Sequence, residues 1–345
     1  VNLRTYVPRI ALETALARSV QGSLHSVLFG ESGNGKSWLY RKVFTQLGFH
    51  YKVANCANAC RSRSVAAEIY SSIVPKGTAR KTSFAESREA SPSEFRNSGA
   101  LSQESHYSVS SDDPLFEAFS TFRSNIGNGD AIIVLENLEA IFDDAELMAE
   151  LGNILLLLDD PVYGAFKIKF LLVGVPNGIL EYFAKTKNIE SVSNRLEELP
   201  KVDGLTLPMV VTLVERGFNK LLEYNLSQES IDKISAHTHY LTLGVAQRVQ
   251  EYCERLAYKL EDARLVFSPD RLKEADADWL SIGLRQAYTV IESHLNSKDT
   301  TVGRRNQVIY CIGRMTGHQI DSTGVSDRIR TEFPTTAKGS NMGVA

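Results

Sequence analysis

The eight residues GESGNGKS at 30–37, set between the apolar run SVLF and the helical pattern SWLYRKVFTQL, constrain this chain more than any other stretch. A GxxxxGKS spacing between a buried strand and a helix predicts a phosphate-binding loop. Gly30, Gly33 and Gly35 permit backbone turns and close approach that a side chain would block. Their N–H groups, with the helix N-terminus, form an anion-binding concavity. In that frame Lys36 supplies a point charge to the outer phosphates of a nucleoside triphosphate, and the Ser37 hydroxyl ligates magnesium. Ser32 and Asn34 within the loop, and Trp38 just after it, join the expected nucleotide contacts.

The pattern around the loop alternates. Helical spacing covers 9–20, 37–47, 64–73, 114–126 and 143–160; apolar strand-like runs cover 24–29, 49–56, 131–136 and 166–176. Strand-helix alternation predicts an α/β fold, a parallel sheet covered by helices, here of the P-loop NTPase type. From 75 to 113 the sequence is Ser-rich with little apolar periodicity, a composition that buries too little surface to offset ordering entropy, so a flexible insertion is expected. After Leu207 the strand signals stop. The predicted organisation is a nucleotide-binding core over 1–206, an α-helical second domain over 207–297, and a C-terminal region over 298–345 with two helix-like pieces and a basic flank.

A second half of the site is expected at the end of an apolar strand, and IIVLENLE supplies it. Glu136 stands where an acid would hold the magnesium shell; as an alternative, it simply ends a buried strand. Asn137 occupies the next position, where a carboxylate would take a proton from the attacking water, and an amide cannot do so. Glu139 is close in sequence, but on an idealised turn it need not point into the site.

Composition narrows the function classes. The 345 residues allow two or three domains. A net charge of -3 gives no global sign of a nucleic-acid binder, although a local basic face, such as Arg304, Arg305 and Arg314 or Arg328 and Arg330, stays open. No apolar run approaches the roughly 18 residues of a membrane helix, and no leader is readable at Val1. Of four cysteines only Cys56 and Cys60 are neighbours, without a second pair to complete a zinc set. Reduced structural thiols in a cytoplasmic protein are the expectation.

With these residues in hand, the chain resembles an AAA+ ATPase, and most of all the origin-recognition and cell-division-control initiator-like branch with its related bacterial ATPases. The resemblance begins at YVPRIALETAL (6–16) and continues through GESGNGKS, IIVLENLE, FLLVGVPN, SVSNR and GVAQR, spanning about residues 5 to 260. It implies ATP and Mg2+ as cofactors, a role as lid for the α-helical region over 207–297, and a partial winged-helix-like region over 298–345. It also implies that Tyr6, Val7, Pro8 and Arg9 border the adenine, that Asn177 is a first sensor and Arg248 a second, and that Arg195 reaches a neighbouring subunit. The expected function is an oligomeric, nucleotide-dependent switch on or beside DNA, with slow or partner-stimulated hydrolysis. Asn137 favours an alternative, a nucleotide-sensing scaffold of a bacterial defence or signalling (STAND-like) system that binds ATP without efficient turnover and recruits a protein effector. A small-molecule kinase shares the glycine loop, but the long helical region after 207 argues against it.

Overall fold

The computed structural model describes residues 3–75, 113–174, 189–296, 302–315 and 320–337. The Ser-rich insertion, apart from its two ends, and Asn177 lie outside the described residues. Two compact units divide the chain, one up to Gln250 and one from Glu251 onward.

The first unit is built on five parallel strands: β1 (His25–Leu28), β2 (His50–Asn55), β3 (Ala131–Glu136), β4 (Ile168–Val173) and β5 (Leu196–Glu198), in the order β2-β3-β4-β1-β5. Around them run α1 (Ile10–Gln21), α2 (Lys36–Leu47), α3 (Cys56–Ser62), α4 (Val65–Ile73), α5 (Pro114–Ile126), α6 (Ala145–Leu157), α7 (Pro161–Gly164) and α8 (Ile189–Ser193). Then come α9 (Leu207–Val214), which continues into wider π-type turns (Glu215–Leu221), and α10 (Gln228–Thr242). Helix α11 (Ala246–Asp262) carries the boundary between the units within it.

Period-two alternation sorts the strand residues onto two faces. Ile132, Val134, Leu171 and Val173 pack with Leu16, Leu39, Val43 and Phe44 of α1 and α2. Ile133, Leu135, Phe170 and Leu172 pack on the other face with Ile69, Phe119, Phe122 and Leu151 of α4 to α6. Every one of these side chains is essentially buried, and each contributes about 1.5–3 kcal/mol by removal from water. The helices start where the sequence supplies caps. Asp113, ahead of Pro114, accepts from the Leu115 and Phe116 N–H groups; Ser64 and Asp144 do the same for α4 and α6.

The sequence expectation for the sheet holds, with three differences. The helix expected over 143–160 ends at Leu157, because Asp160 caps a new turn beginning at Pro161. The CANAC stretch is the short helix α3, started by the Asn55 side chain accepting from Ala57 N. The short segment LEE adds β5, paired with β1; three residues are too few to show alternation.

The second unit contains the rest of α11, then α12 (Pro269–His294), α13 (Arg304–Gly313) and α14 (Ser322–Glu332). The last two pack on each other through Cys311, Val325 and Ile329. All four cysteines are free. Among the described residues no helix is long and apolar enough to cross a membrane, and no cluster of His, Cys, Asp and Glu suits a metal ion.

Candidate nucleotide site

In a parallel sheet every strand delivers its C-terminal end to one edge, so the loops after β1, β3 and β4 converge. The loop after β1 is 29–35. At Gly30 φ is +144°, and a side chain there would collide with the Val202 carbonyl. Only glycine fits. Gly35, left-handed at φ 88°, caps α2, so the N–H groups of the first turn open onto the loop. Asn34 is buried; its Nδ2 donates to Val202 O at 3.1 Å and its backbone carbonyl accepts from Arg9 at 2.8 Å. The loop is thereby fastened from both sides. The start of α11 adds a third tie, with Gln247 N donating to Gly33 O at 3.0 Å.

Lys36 Nζ donates to Gly30 O at 2.6 Å and to Glu31 O at 3.0 Å, which holds the ammonium across the loop. Burial lowers its pKa, while the negative charges of Glu139 and Glu31 act against that shift. Opposite lies the end of β3. Ser37 Oγ donates to Glu136 Oε1 at 2.7 Å, and the Tyr40 hydroxyl donates to the same oxygen at 2.9 Å. Burial, followed by the Glu136 charge and hydrogen bond, raises the Tyr40 pKa, so the phenol stays a donor.

Asn137 then turns the chain. Its φ of 55° is left-handed, a conformation asparagine tolerates better than most residues. Its Nδ2 donates to Asn55 Oδ1 at 3.0 Å. The following 3-10 turn, Leu138–Ile141, buries Leu138 and Ile141 and leaves Glu139 on the outer side, above the end of β4. There a side chain on Gly174 would collide with Glu139 Oε2 and lie 2.9 Å from Leu138 N.

These groups line one cleft of about 580 Å³. Its walls include Gly30, Ser32, Gly33, Gly35, Lys36, Ser37 and Trp38 on one side and Glu136, Asn137, Glu139 and Gly174 on the other. Ala246, Gln247 and Gln250 of α11 also line it. A small adjoining hollow of about 20 Å³ shares Gly35, Trp38, Ala246 and Gln250, and is otherwise lined by Thr5, Tyr6, Val7, Arg9, Leu205 and Leu213. Tyr6 and Arg9 are organised by Glu13, which accepts from the Tyr6 hydroxyl at 2.8 Å and from Arg9 N at 2.7 Å.

The other expected site residues lie apart. Arg195 precedes β5, which pairs with the start of β1, at the sheet edge opposite the loop. Its guanidinium pairs with Asp159 at 2.6 Å and donates to Ser191 O. Arg248 is exposed on α11 and does not line the cleft, whereas Gln247 and Gln250 do. Sequence reasoning did not select Tyr40, Gly174, Gln247 or Gln250, and named Glu139 only as a neighbour. For Glu139 a signal existed: an asparagine suited to a left-handed turn, followed by the Leu138/Ile141 spacing that buries one side of a tight turn.

The strand order, the loop and the acid at the end of β3 define a P-loop nucleotide-binding fold of the AAA+ kind. Residues 18–183 match the AAA domain family. Solved structures agree on the fold. The Walker-type ATPase PABY2304 of Pyrococcus abyssi aligns with a TM-score of 0.59 at 14% identity, covering 95% of this chain and 84% of that one. ORC2 of Aeropyrum pernix in its ADP form aligns at 0.57 and 16%, covering 97% and 84%. ORC1 of the same organism, in complex with DNA, aligns at 0.51 and 15%, covering 94% and 77%. No curated protein matches the sequence.

Proposed function

We propose that the chain is an ATP-binding AAA+ switch that hydrolyses ATP slowly, assembles with other copies of itself and works on or beside DNA. The observation that carries the nucleotide reading is the meeting of the glycine loop with Ser37 and Glu136 across 2.7 Å. Two hard oxygen donors from opposite walls, beside a lysine that faces the same cleft, fit a magnesium-bound triphosphate. Bound there, Mg2+ would neutralise charge on the phosphates. Ser37 and Glu136 would hold it, Lys36 and the loop N–H groups would hold the phosphates, and the Tyr6–Val7–Arg9 side would take the base.

The oligomeric part rests on Arg195, whose position away from its own loop suits contact with another chain's phosphates. The DNA part has two supports: the ORC1 neighbour was solved with DNA, and α13 exposes Arg305 with Arg314 beyond its end. On α14, Arg328 and Arg330 are paired with Glu332 and Asp327. The second reading, a scaffold that senses ATP without turnover, is favoured by Asn137 alone.

Lys36→Ala is the direct test. Loss of a phosphate-facing charge should weaken ATP binding by 100-fold or more, about 3 kcal/mol, in calorimetric titration of the full chain. Unchanged affinity would remove the nucleotide reading. Measuring the mass in solution with ATP, with and without duplex DNA at two salt concentrations, tests the assembly and DNA parts; a monomer that ignores DNA throughout sinks both.

A further inference from the structure

Hydrolysis at this cleft needs a group that takes a proton from the attacking water, and Asn137, at the position next to Glu136, cannot be that group. Its amide is committed to Asn55 Oδ1 at 3.0 Å, and its left-handed backbone serves as a pivot. Glu136 is engaged elsewhere, accepting from both Ser37 and Tyr40 on one oxygen. What the pivot presents to the cleft is Glu139.

From these placements we propose that Glu139 is the general base of ATP hydrolysis in this chain, displaced by three residues along the turn from Glu136. Four independent features converge on it. Leu138 and Ile141 are fully buried, so the 3-10 turn is anchored and Glu139 cannot rotate into the core. Gly174, directly after β4, has no side chain, and its bareness is what lets the carboxylate approach the middle of the strand edge. β4 lies between β3 and β1, so this spot faces the phosphate loop across the cleft. Finally, Glu139 lines the same cleft as Lys36, the residue set to hold the outer phosphates.

The chemical step balances without any further reagent. A water oxygen forms a bond to the γ-phosphorus and gives its proton to a Glu139 carboxylate oxygen. The bond from that phosphorus to the bridging oxygen of ADP breaks, and ADP leaves with the electron pair. Glu139 then returns the proton to solvent.

The proposal rests on the nucleotide reading above, and the experiment separates the two. Wild-type and Glu139→Gln full-length chains are compared in three measurements: ATP affinity, single-turnover release of γ-phosphate, and affinity for ADP with tetrafluoroaluminate. For Glu139→Gln the expected result is ATP affinity within about threefold of wild type and phosphate release slower by about 100-fold or more, the usual contribution of a general base. The tetrafluoroaluminate complex should be lost with it, because that complex needs the in-line water held. Glu139→Gln turning over at a rate near wild type overturns the proposal. So does Glu139→Gln failing to bind ATP, which would make the residue part of the binding site, and so does a wild type that binds ATP but releases no phosphate. Failure of wild type to bind ATP at all removes the nucleotide reading instead.

Discussion

His25 offers a test of the fold that is independent of any ligand. It is the first residue of β1, 8% exposed, edge-on to the Phe170 ring, and its Nδ1 accepts from Phe170 N at 3.3 Å. That acceptor role requires the neutral imidazole. Burial is the main cause that pushes its pKa down to about 4, and the charge of Lys169 adds to it; Asp159 acts the other way and Arg195 lowers it further. Between pH 6.5 and about 4 the unfolded chain therefore binds a proton that the folded chain refuses. Stability from this residue is complete above pH 6.5 and is lost as the pH falls toward 4. The full loss is about 3 kcal/mol, of which about 2 kcal/mol is gone by pH 5. Against a typical total of about 5–15 kcal/mol this is large. Carboxylates titrate in the same range, so the informative quantity is the difference between wild type and His25→Asn, whose side-chain oxygen accepts the same N–H without titrating. Urea unfolding at pH 7 and pH 5 should show wild type losing about 2 kcal/mol more than the variant. Histidine NMR should show one imidazole still neutral at pH 5. Parallel pH dependences, or a His25 resonance titrating near 6.5, would refute the argument.

Tyr40→Phe removes a buried hydroxyl that donates to a carboxylate, a bond worth about 1.5–3 kcal/mol, while Phe44 and Tyr51 keep the ring in place. The magnesium concentration needed for tight ATP binding should rise about 10-fold or more, and an unmoved midpoint would show that the hydroxyl does not orient Glu136. Arg195→Ala breaks a half-exposed ion pair worth under about 1 kcal/mol, so the chain should stay folded. If the arginine works in another subunit, turnover per chain should cease to rise with protein concentration; an unchanged rise would end that reading.

Much of the fold was legible because strong periodicity and tight chemistry coincide. Ile132/Val134 against Ile133/Leu135 is a fully buried strand on sight, and Gly30 announces a turn no other residue fits. Helix α5 matches its expected span because Asp113 and Pro114 mark its start and Gly127 its end. What sequence could not provide depends on contacts remote along the chain. The turn at Asn137 that carries Glu139 has a local signal, but the room that lets its carboxylate reach the cleft comes from Gly174, 35 positions later. Tyr40 reaches Glu136 across 96 positions, and reads in sequence as one more core aromatic of α2. Gln247 and Gln250, rather than Arg248, line the cleft because helical phase decides which side of α11 faces the loop, and one residue of phase is below what periodicity resolves.

Parallel pairing also separates the two groups on which turnover is proposed to depend. Glu139 stands at the C-terminal edge with the glycine loop, and Arg195 stands before β5, beside the start of β1. Along β1 the two edges are about 10 Å apart at 3.3 Å per residue, before the length of the loop is added. The guanidinium is moreover turned to Asp159 and Ser191 on its own edge. A base in its own site and an arginine proposed to act in a neighbour's site predict complementation. Glu139→Gln chains have the arginine but no base, and Arg195→Ala chains have the base but no arginine. Each should be slow alone. Mixed, an Arg195→Ala site bordered by a Glu139→Gln chain regains both groups, so phosphate release should exceed the average of the separate proteins and peak near equal proportions. A mixture that only averages its components would place both residues in one site, or leave Arg195 with no part in the chemistry.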